Sequence, residues 1–331
     1  MPLLSTNTMS DPEDTIAFLG IGVMGYKMCL NLRYKLSADK VLLISDVSDT
    51  ALRKFEGQVA GIGEVRRVKN GFEAAQQANT IISMLPTAES VEQVYLDPET
   101  GVLAGVKAAG KGAKLIMECG TIETATIMKV NEATKSLSSN LPAGTKVEFV
   151  DAPVSGGPMG AQAGTLTFMV GGTKEVFPRA RSMLVHMGNK DGIFHCGDVG
   201  SGTAFKVINN YISAITSLAA SEALNIGAKM GLDLKLLTNV INSSGGQTWI
   251  TSNSNPVPGI NPNAPASRNY EGGFRIELCQ KVLKMGTELA EMVGARTILD
   301  KPTYAAFAEA SSDERYAGRD ARVVYKWLNE Q

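Results

Sequence analysis

Three short stretches of this 331-residue chain carry residue types whose spacing suits chemistry on a small molecule. The first, Gly20-Ile21-Gly22-Val23-Met24-Gly25, fits G-x-G-x-x-G between an apolar run, Ile16–Leu19, and a helical stretch through Met28 and Leu32. In such a pattern the first glycine permits a tight turn, the second lets the backbone approach a pyrophosphate, and the third packs helix against strand. The N–H groups at the helix start then face the phosphates, along a dipole that favours negative charge. A second apolar run, Val41–Ser45, ends in Asp46, 26 positions after Gly20. That is close to the ~20-residue offset at which an acid reaches the ribose hydroxyls of a dinucleotide. NAD is the expected cofactor over NADP, because a carboxylate accepts from a ribose 2′-OH and repels a 2′-phosphate.

A nicotinamide cofactor implies hydride transfer, and hydride transfer at a carbinol carbon needs a group to take or give the hydroxyl proton. The chain has two histidines, His186 before Met187-Gly188 and His195 on the run Ile193–Cys196. Neither has a carboxylate set by sequence to orient it, and both read as structural. Lys206 is better situated, as an isolated cation in the apolar opening turn of Gly200–Asn210, with Asn210 four residues on and on the same helix face. A lysine near its ordinary pKa of ~10.4 is a poor base at neutral pH, and burial would lower it. On these residues alone, a general base and a lysine that snorkels or pairs with a carboxylate are equally good readings. The third stretch is Asp151-Ala152-Pro153-Val154-Ser155-Gly156-Gly157. Here Pro153 ends a strand, and Ser155, Gly156 and Gly157 offer a hydroxyl beside successive backbone amides, a nest suited to a carboxylate. A plain tight turn is the alternative. Gly171-Gly172-Thr173 reads as a turn with a helix N-cap and no ligand.

These stretches need a scaffold. Up to about residue 197, strand-like runs alternate with helical ones: Thr15–Leu19, Val41–Ser45, Thr80–Leu85, Lys114–Glu118, Lys146–Val150, Thr167–Val170 and Ile193–Cys196, with helical spacing in Ile122–Leu137 and Lys174–Met187. That alternation predicts an α/β fold with a doubly wound, mostly parallel sheet, whose ligands bind at the carboxyl ends of the strands. From Gly197 the strand pattern stops. Gly197, Gly200 and Gly202 read as a flexible junction, followed by a long helix over Thr203–Met230 that is apolar on nearly every face and so expected to be buried. Helical segments continue to Leu328, interrupted by Asn253–Gly273, a long loop rich in Pro, Asn and Gly. The expected organisation is a lead-in over 1–14, a dinucleotide-binding domain over 15–197 and a helical domain over 198–331.

Composition narrows the partners. With 20% charged residues and a formal net charge of −1, nothing marks a nucleic-acid or membrane-surface binder. No apolar run approaches the ~20 residues of a membrane span. The cysteines, Cys29, Cys119, Cys196 and Cys279, form no C-x-x-C pair and read as reduced thiols, with no metal site. The first fourteen residues contain no Arg or Lys and read as a disordered lead-in, neither a transit peptide nor a signal sequence. The cytoplasm is the expected compartment, with the mitochondrial matrix as alternative.

The motifs in this order resemble the β-hydroxyacid dehydrogenase family, and within it the 3-hydroxyisobutyrate dehydrogenase branch, over Ile16 to about Leu328. The resemblance rests on Gly20–Gly25, Met84-Leu85-Pro86-Thr87, Asp151–Gly157, Gly164–Gly172, Lys206–Asn210, Asn255-Pro256-Val257-Pro258-Gly259 and Asn269–Phe274. It implies a Rossmann domain, a long interdomain helix, an all-α C-terminal domain, and a homodimer or homotetramer. It implies Lys206 as the catalytic lysine, with Ser155, Gly156, Gly157 and Asn210 holding the hydroxy-acid substrate. Gly20, Ile21, Gly22, Val23, Met24, Gly25, Asp46, Leu85, Pro86, Thr121 and Lys281 would then approach NAD. The implied reaction is reversible oxidation of a 3-hydroxy acid, 3-hydroxyisobutyrate for preference, to its semialdehyde. The alternatives are another 3-hydroxy acid or semialdehyde, or a dinucleotide-binding scaffold without turnover. Two departures stand out: Lys281-Val282-Leu283 where the family usually has Lys-Asp-Leu, and Cys119-Gly120-Thr121 where it usually has Ser-Ser-Thr.

Overall fold

The computed structural model describes residues 15–330, so the expected lead-in lies outside the described residues. Nine strands form one sheet: β1 (Thr15–Leu19), β2 (Val41–Ser45), β3 (Val65–Arg67), β4 (Thr80–Ser83), β5 (Ala113–Glu118), β6 (Lys146–Asp151), β7 (Val154–Ser155), β8 (Leu166–Gly171) and β9 (Gly188–Gly197). Their order is β3-β2-β1-β4-β5-β6-β8-β7, with β9 on β8. All pairings from β3 to β6 are parallel, whereas β8 runs antiparallel to β6 and β7. Helices α1 (Gly25–Lys35), α2 (Asp49–Gln58), α3 (Gly71–Gln77), α4 (Ala88–Leu96), α5 (Val102–Ala109), α6 (Thr124–Ser139), α7 (Gly157–Ala163) and α8 (Phe177–Leu184) connect them.

The strands are apolar at successive positions because both faces of the sheet are covered. Ile16, Phe18, Leu42 and Met117 point into one core with Met28 and Leu32 of α1. Ala17, Leu19, Leu43 and Ile116 point into the other with Val91 of α4 and Val130 of α6. This is the doubly wound Rossmann arrangement expected from the alternation. The strand order reverses between β1 and β4, and that switch point is where open α/β sheets bind ligands. Strands β3 and β7, three and two residues long, escape a reading by pattern because so short a run carries no periodicity.

The chain divides into two compact units, one through Lys206 and one from Val207. Helix α9 (Ser201–Lys229) runs through that boundary. The second unit contains α10 (Leu234–Asn242), α11 (Trp249–Asn253), α12 (Ile276–Val293), α13 (Asp300–Ser312) and α14 (Val324–Asn329). Its core joins Ile276, Leu283, Phe307 and Val324. The Asn253–Gly273 stretch is packed into this unit, not a loose excursion. The fully buried Asn255 donates to Thr238 Oγ1 and accepts from the Val257 amide, and the buried Tyr270 donates to the Pro256 carbonyl at 2.8 Å.

Two expectations change. Gly202 is no flexible junction, since a Cβ there would strike the Met169 carbonyl and lie 2.9 Å from the Asp151 carbonyl, so the first turn of α9 sits directly on strand backbone. Nor is α9 covered on every face. Val207 and Leu224 are buried, but Phe205, Ile208 and Ile212 are 54%, 59% and 60% exposed along one stripe. Among the described residues no helix is long and apolar enough to cross a membrane, and no group of three His, Cys, Asp or Glu could hold a metal ion.

Candidate active site

The carboxyl ends of β1, β4, β5 and β6 are stitched together by the ladder itself. The Met84 amide donates to the Leu19 carbonyl at 2.9 Å, Cys119 to Ser83 at 2.8 Å, and Ala152 to Glu118 at 2.7 Å. Gly20, Leu85, Pro86, Thr121 and Ser155 therefore follow neighbouring strand ends along one edge of the sheet.

The turn after β1 has the shape a dinucleotide requires. Gly20 is at φ +87°, and a Cβ on it would come within 2.7 Å of the Met84 carbonyl. A Cβ on Gly25 would strike the Gly20 carbonyl, so this glycine is what lets α1 close on the strand end. A Cβ on Gly22 would meet nothing within 4 Å, so the side of the backbone from which it would project is open. No side chain caps α1 and its first turn holds no acid, so the helix start keeps its affinity for an anion. An open cleft of about 380 Å³ continues from here, lined by Ile21, Gly22, Val23, Asp46, Ser48 and Lys54 among others. The residues present fit an NAD-type cofactor.

Asp46 has a structural task of its own. Its carboxylate accepts from the Ile21 amide at 2.7 Å and from the Ser48 amide at 2.8 Å, which pins the Gly-rich turn against the end of β2. A carboxylate has about four lone-pair sites, so two remain for a ligand. Lys54 stacks over the Tyr26 ring at 5.4 Å, and Arg53 is paired with Asp49.

At the far side of the edge, Ser155 ends β7, opposite Thr167 of β8. Gly156 and Gly157 follow at φ +130° and +59°, both exposed. A Cβ on Gly157 would meet nothing within 4 Å, whereas one on Gly156 would lie 3.0 Å from Leu166 Cδ2. This irregular turn of successive positive-φ glycines leads into α7.

Lys206 is only 7% exposed. Burial alone pushes its ammonium down to about 8. Its location is set by Asp151, a residue that lies in the third motif but to which the motif itself assigns no role. Asp151, fully buried at the end of β6, accepts from the Gly200 amide at 2.7 Å and the Thr203 amide at 2.6 Å. It caps α9 across about fifty residues of chain, and Lys206 is three residues past Thr203, one turn up the helix. Burial pushes the Asp151 carboxyl up while the two amides hold it down, with burial the larger effect. The only sequence signal for this role was an acid at the end of an apolar strand, which must find partners if buried.

Asn210 lies half-buried one turn beyond Lys206 on the same helix. Asn210 and Lys281, half-buried on α12, belong to the second unit; the other candidate residues belong to the first. Val282, where the family usually has an acid, is buried with Val207 and Met285. Both histidines are occupied structurally. The His195 ring contacts the Gly172 carbonyl at 2.7 Å and stacks on Phe177, and the His186 ring contacts the Met183 carbonyl at 3.0 Å.

Comparison with known proteins gives the family. Residues 15–199 match the family model for the NAD binding domain of 6-phosphogluconate dehydrogenase, and residues 200–328 match that for the NAD-binding region of NADP-dependent 3-hydroxyisobutyrate dehydrogenase. A 3-hydroxyisobutyrate dehydrogenase of Pseudomonas aeruginosa is 39% identical over 94% of this chain and 97% of its own length. An NAD-dependent L-serine dehydrogenase of the same organism is 37% identical over 94% and 96%. Among solved structures, Mycobacterium tuberculosis 3-hydroxyisobutyrate dehydrogenase with L-serine has a TM-score of 0.80 at 34% identity, covering 96% of this chain and 99% of that one. The chain belongs to the β-hydroxyacid dehydrogenase family of NAD-dependent oxidoreductases.

Proposed function

We propose that this protein reversibly oxidises a 3-hydroxy acid, 3-hydroxyisobutyrate for preference, to its semialdehyde, with Lys206 as the acid–base group. The observation that carries this reading is Lys206 itself, a buried lysine whose ammonium is pushed down to about 8 on a helix anchored at a strand end. A proton acceptor works best with a pKa near the operating pH, and this one is close enough to supply both protonation states. Bound NAD supplies the hydride acceptor. In oxidation neutral Lys206 Nζ takes the hydroxyl proton, and in reduction its ammonium returns it. Ser155 Oγ and the amides of Gly156 and Gly157 hold the carboxylate, and Asn210, on the same helix face as Lys206, holds the hydroxyl. The turn Gly20–Gly25 receives the pyrophosphate and Asp46 the adenosine ribose, while Leu85, Pro86, Thr121 and Lys281 approach the remainder of the cofactor.

L-serine is a second reading, favoured by the serine dehydrogenase relative and by the solved structure with L-serine. It shares the hydroxymethyl and carboxylate groups and carries an ammonium at C2 in place of the methyl group. Val282, apolar and buried with Val207 and Met285 where the family usually has an acid, departs from the family pattern and does not separate the two substrates. Nicotinamide absorbance with purified protein and NAD separates the two. The expected kcat/KM for 3-hydroxyisobutyrate exceeds that for L-serine by about ten-fold or more. The reverse order, or no turnover of either by NAD-bound protein, overturns the assignment.

The stripe of Phe205, Ile208 and Ile212 supports a homodimer or homotetramer, since apolar side chains exposed in a row mark a surface to be covered. Light scattering is expected to give a multiple of the 35.1 kDa chain mass that falls in Ile212→Glu. A single-chain mass for the unsubstituted protein ends this reading.

A further inference from the structure

Behind the strand ends Leu85 and Thr121 lies a buried polar cluster that the reaction as described leaves idle. Glu118, the last residue of β5, is fully buried. Its Oε1 accepts from the Gly120 amide at 2.7 Å, and the carboxylate also accepts from the Leu85 amide. Its Oε2 receives the Ser83 hydroxyl from β4 and is 3.5 Å from the Tyr95 hydroxyl of α4. Ser83 and Tyr95 are hydrogen-bonded to each other as well. One carboxylate thus ties together the chain leaving β4 and the chain leaving β5.

Gly120 is the complement of this arrangement. A Cβ there would lie 2.6 Å from Glu118 Oε1 and 2.6 Å from the Leu85 carbonyl. The glycine standing where the family usually has serine is therefore forced by the carboxylate beside it. The departure is compensated, not a defect.

The direction of the bound dinucleotide gives the cluster its role. With the pyrophosphate at the turn after β1 and the adenosine ribose at Asp46 after β2, the other half of the molecule crosses the switch point toward β4 and β5. We propose that Glu118 is a positioning residue for the nicotinamide half of the cofactor, holding the Leu85 and Thr121 edges at the separation the ring needs, with Gly120 as its obligate partner. This rests on the assignment of Leu85 and Thr121 made above. No substrate enters its test, so the role of Glu118 can be decided even in a protein inactive on 3-hydroxyisobutyrate.

Burial raises the Glu118 carboxyl to about 7, with the hydroxyls and amides around it opposing the rise. The groups facing it are Ser83 of β4, Tyr95 of α4, and the amides of Leu85 and Gly120. The Cys119 thiol follows it in sequence, and Asp151 is its register neighbour on β6. With no cation among these, the grip on the two amides strengthens as the carboxyl loses its proton.

Calorimetric titration of NADH and of ADP-ribose into the whole protein tests the proposal. ADP-ribose shares the adenosine, the pyrophosphate and the second ribose but lacks the nicotinamide. Glu118→Ala is expected to weaken NADH by about ten-fold or more while ADP-ribose changes little, because two amides lose a charged acceptor only at the nicotinamide end. Glu118→Gln keeps one carbonyl acceptor and is expected to restore most of the NADH affinity. Between pH 6 and 8 NADH affinity should rise in the unsubstituted protein and stay flat in Glu118→Gln. Gly120→Ala, whose Cβ would press on Glu118 Oε1, should reproduce the Glu118→Ala pattern with Glu118 itself unsubstituted. Should Glu118→Ala fail to fold, the Glu118→Gln pH series and Gly120→Ala decide the matter alone. Parallel weakening of NADH and ADP-ribose would show a merely structural role and overturn the proposal, as would NADH affinities unchanged in all variants.

Discussion

Lys206→Ala is expected to lower kcat by about 10²–10⁴-fold, the usual contribution of a positioned acid–base group, with NAD affinity within about three-fold of the unsubstituted protein. Lys206→Arg should not rescue it, because a guanidinium keeps its proton and cannot serve as base. The pH dependence carries the same signature. The oxidation needs neutral Nζ, so its rate should climb as pH rises through about 8, where the buried ammonium gives up its proton. The reduction needs the ammonium and should fall over the same interval. The linkage sign follows from the lowered pKa: between about 8 and the ordinary ~10.4 the unfolded chain binds more protons, so stability rises with pH across that window. Below it, the cost of burying the charge is fully present, and Lys206→Met should raise Tm while abolishing turnover. Full turnover in Lys206→Ala, or a flat profile between pH 7 and 9, would sink the acid–base assignment.

Asp151→Ala is the second large effect. The Gly200 and Thr203 amides lose their shared acceptor in a buried setting. Stranding two such donors costs about 2–4 kcal/mol, which for a chain of this size lowers Tm by several degrees. The first turn of α9 would then shift on its seat, taking Lys206 with it, so kcat should fall at least about ten-fold even well below Tm. Asp151→Asn keeps one acceptor oxygen and should recover part of the stability. Circular dichroism melts together with kcat measured at low temperature check this. A Tm within one degree of the unsubstituted protein in Asp151→Ala would show that the cap does not hold the helix. The two substitutions are distinguishable, because Lys206→Ala removes the proton carrier and leaves its support, whereas Asp151→Ala does the reverse.

The parts legible in the sequence are those governed by neighbours in the chain. A glycine turn between an apolar run and a helix is local, so roles could be proposed for Gly20, Gly22 and Gly25 from spacing; in the structure Gly20 takes a positive φ and Gly25 closes on the Gly20 carbonyl. The strands of the doubly wound sheet were legible because burial on both faces makes a run apolar throughout. Lys206 drew notice as one cation in an apolar turn, a contrast visible without coordinates. The two histidines, scarce enough to invite assignment, proved to be bound to carbonyls of their own neighbourhood.

Other features depended on which distant segments meet. The partners of Asp151 lie 49 and 52 residues away, and those of Glu118 on β4 and α4 lie 35 and 23 residues away. No periodicity encodes such pairings. Gly202 and Gly120 looked like a flexible joint and a lost hydroxyl until the backbone and carboxylate beside them were known. The stripe on α9 shows the same limit. Its residues predict burial, yet Phe205, Ile208 and Ile212 are exposed in this chain, because covering them depends on how much apolar surface the fold can enclose by itself. By itself the sequence determined the family and pointed to the glycine turn and to Lys206, because each is written in residues close together along the chain. Tertiary structure alone decided what anchors that lysine and what backs the nicotinamide edge, because a buried carboxylate is stabilised by whichever donors folding brings to it.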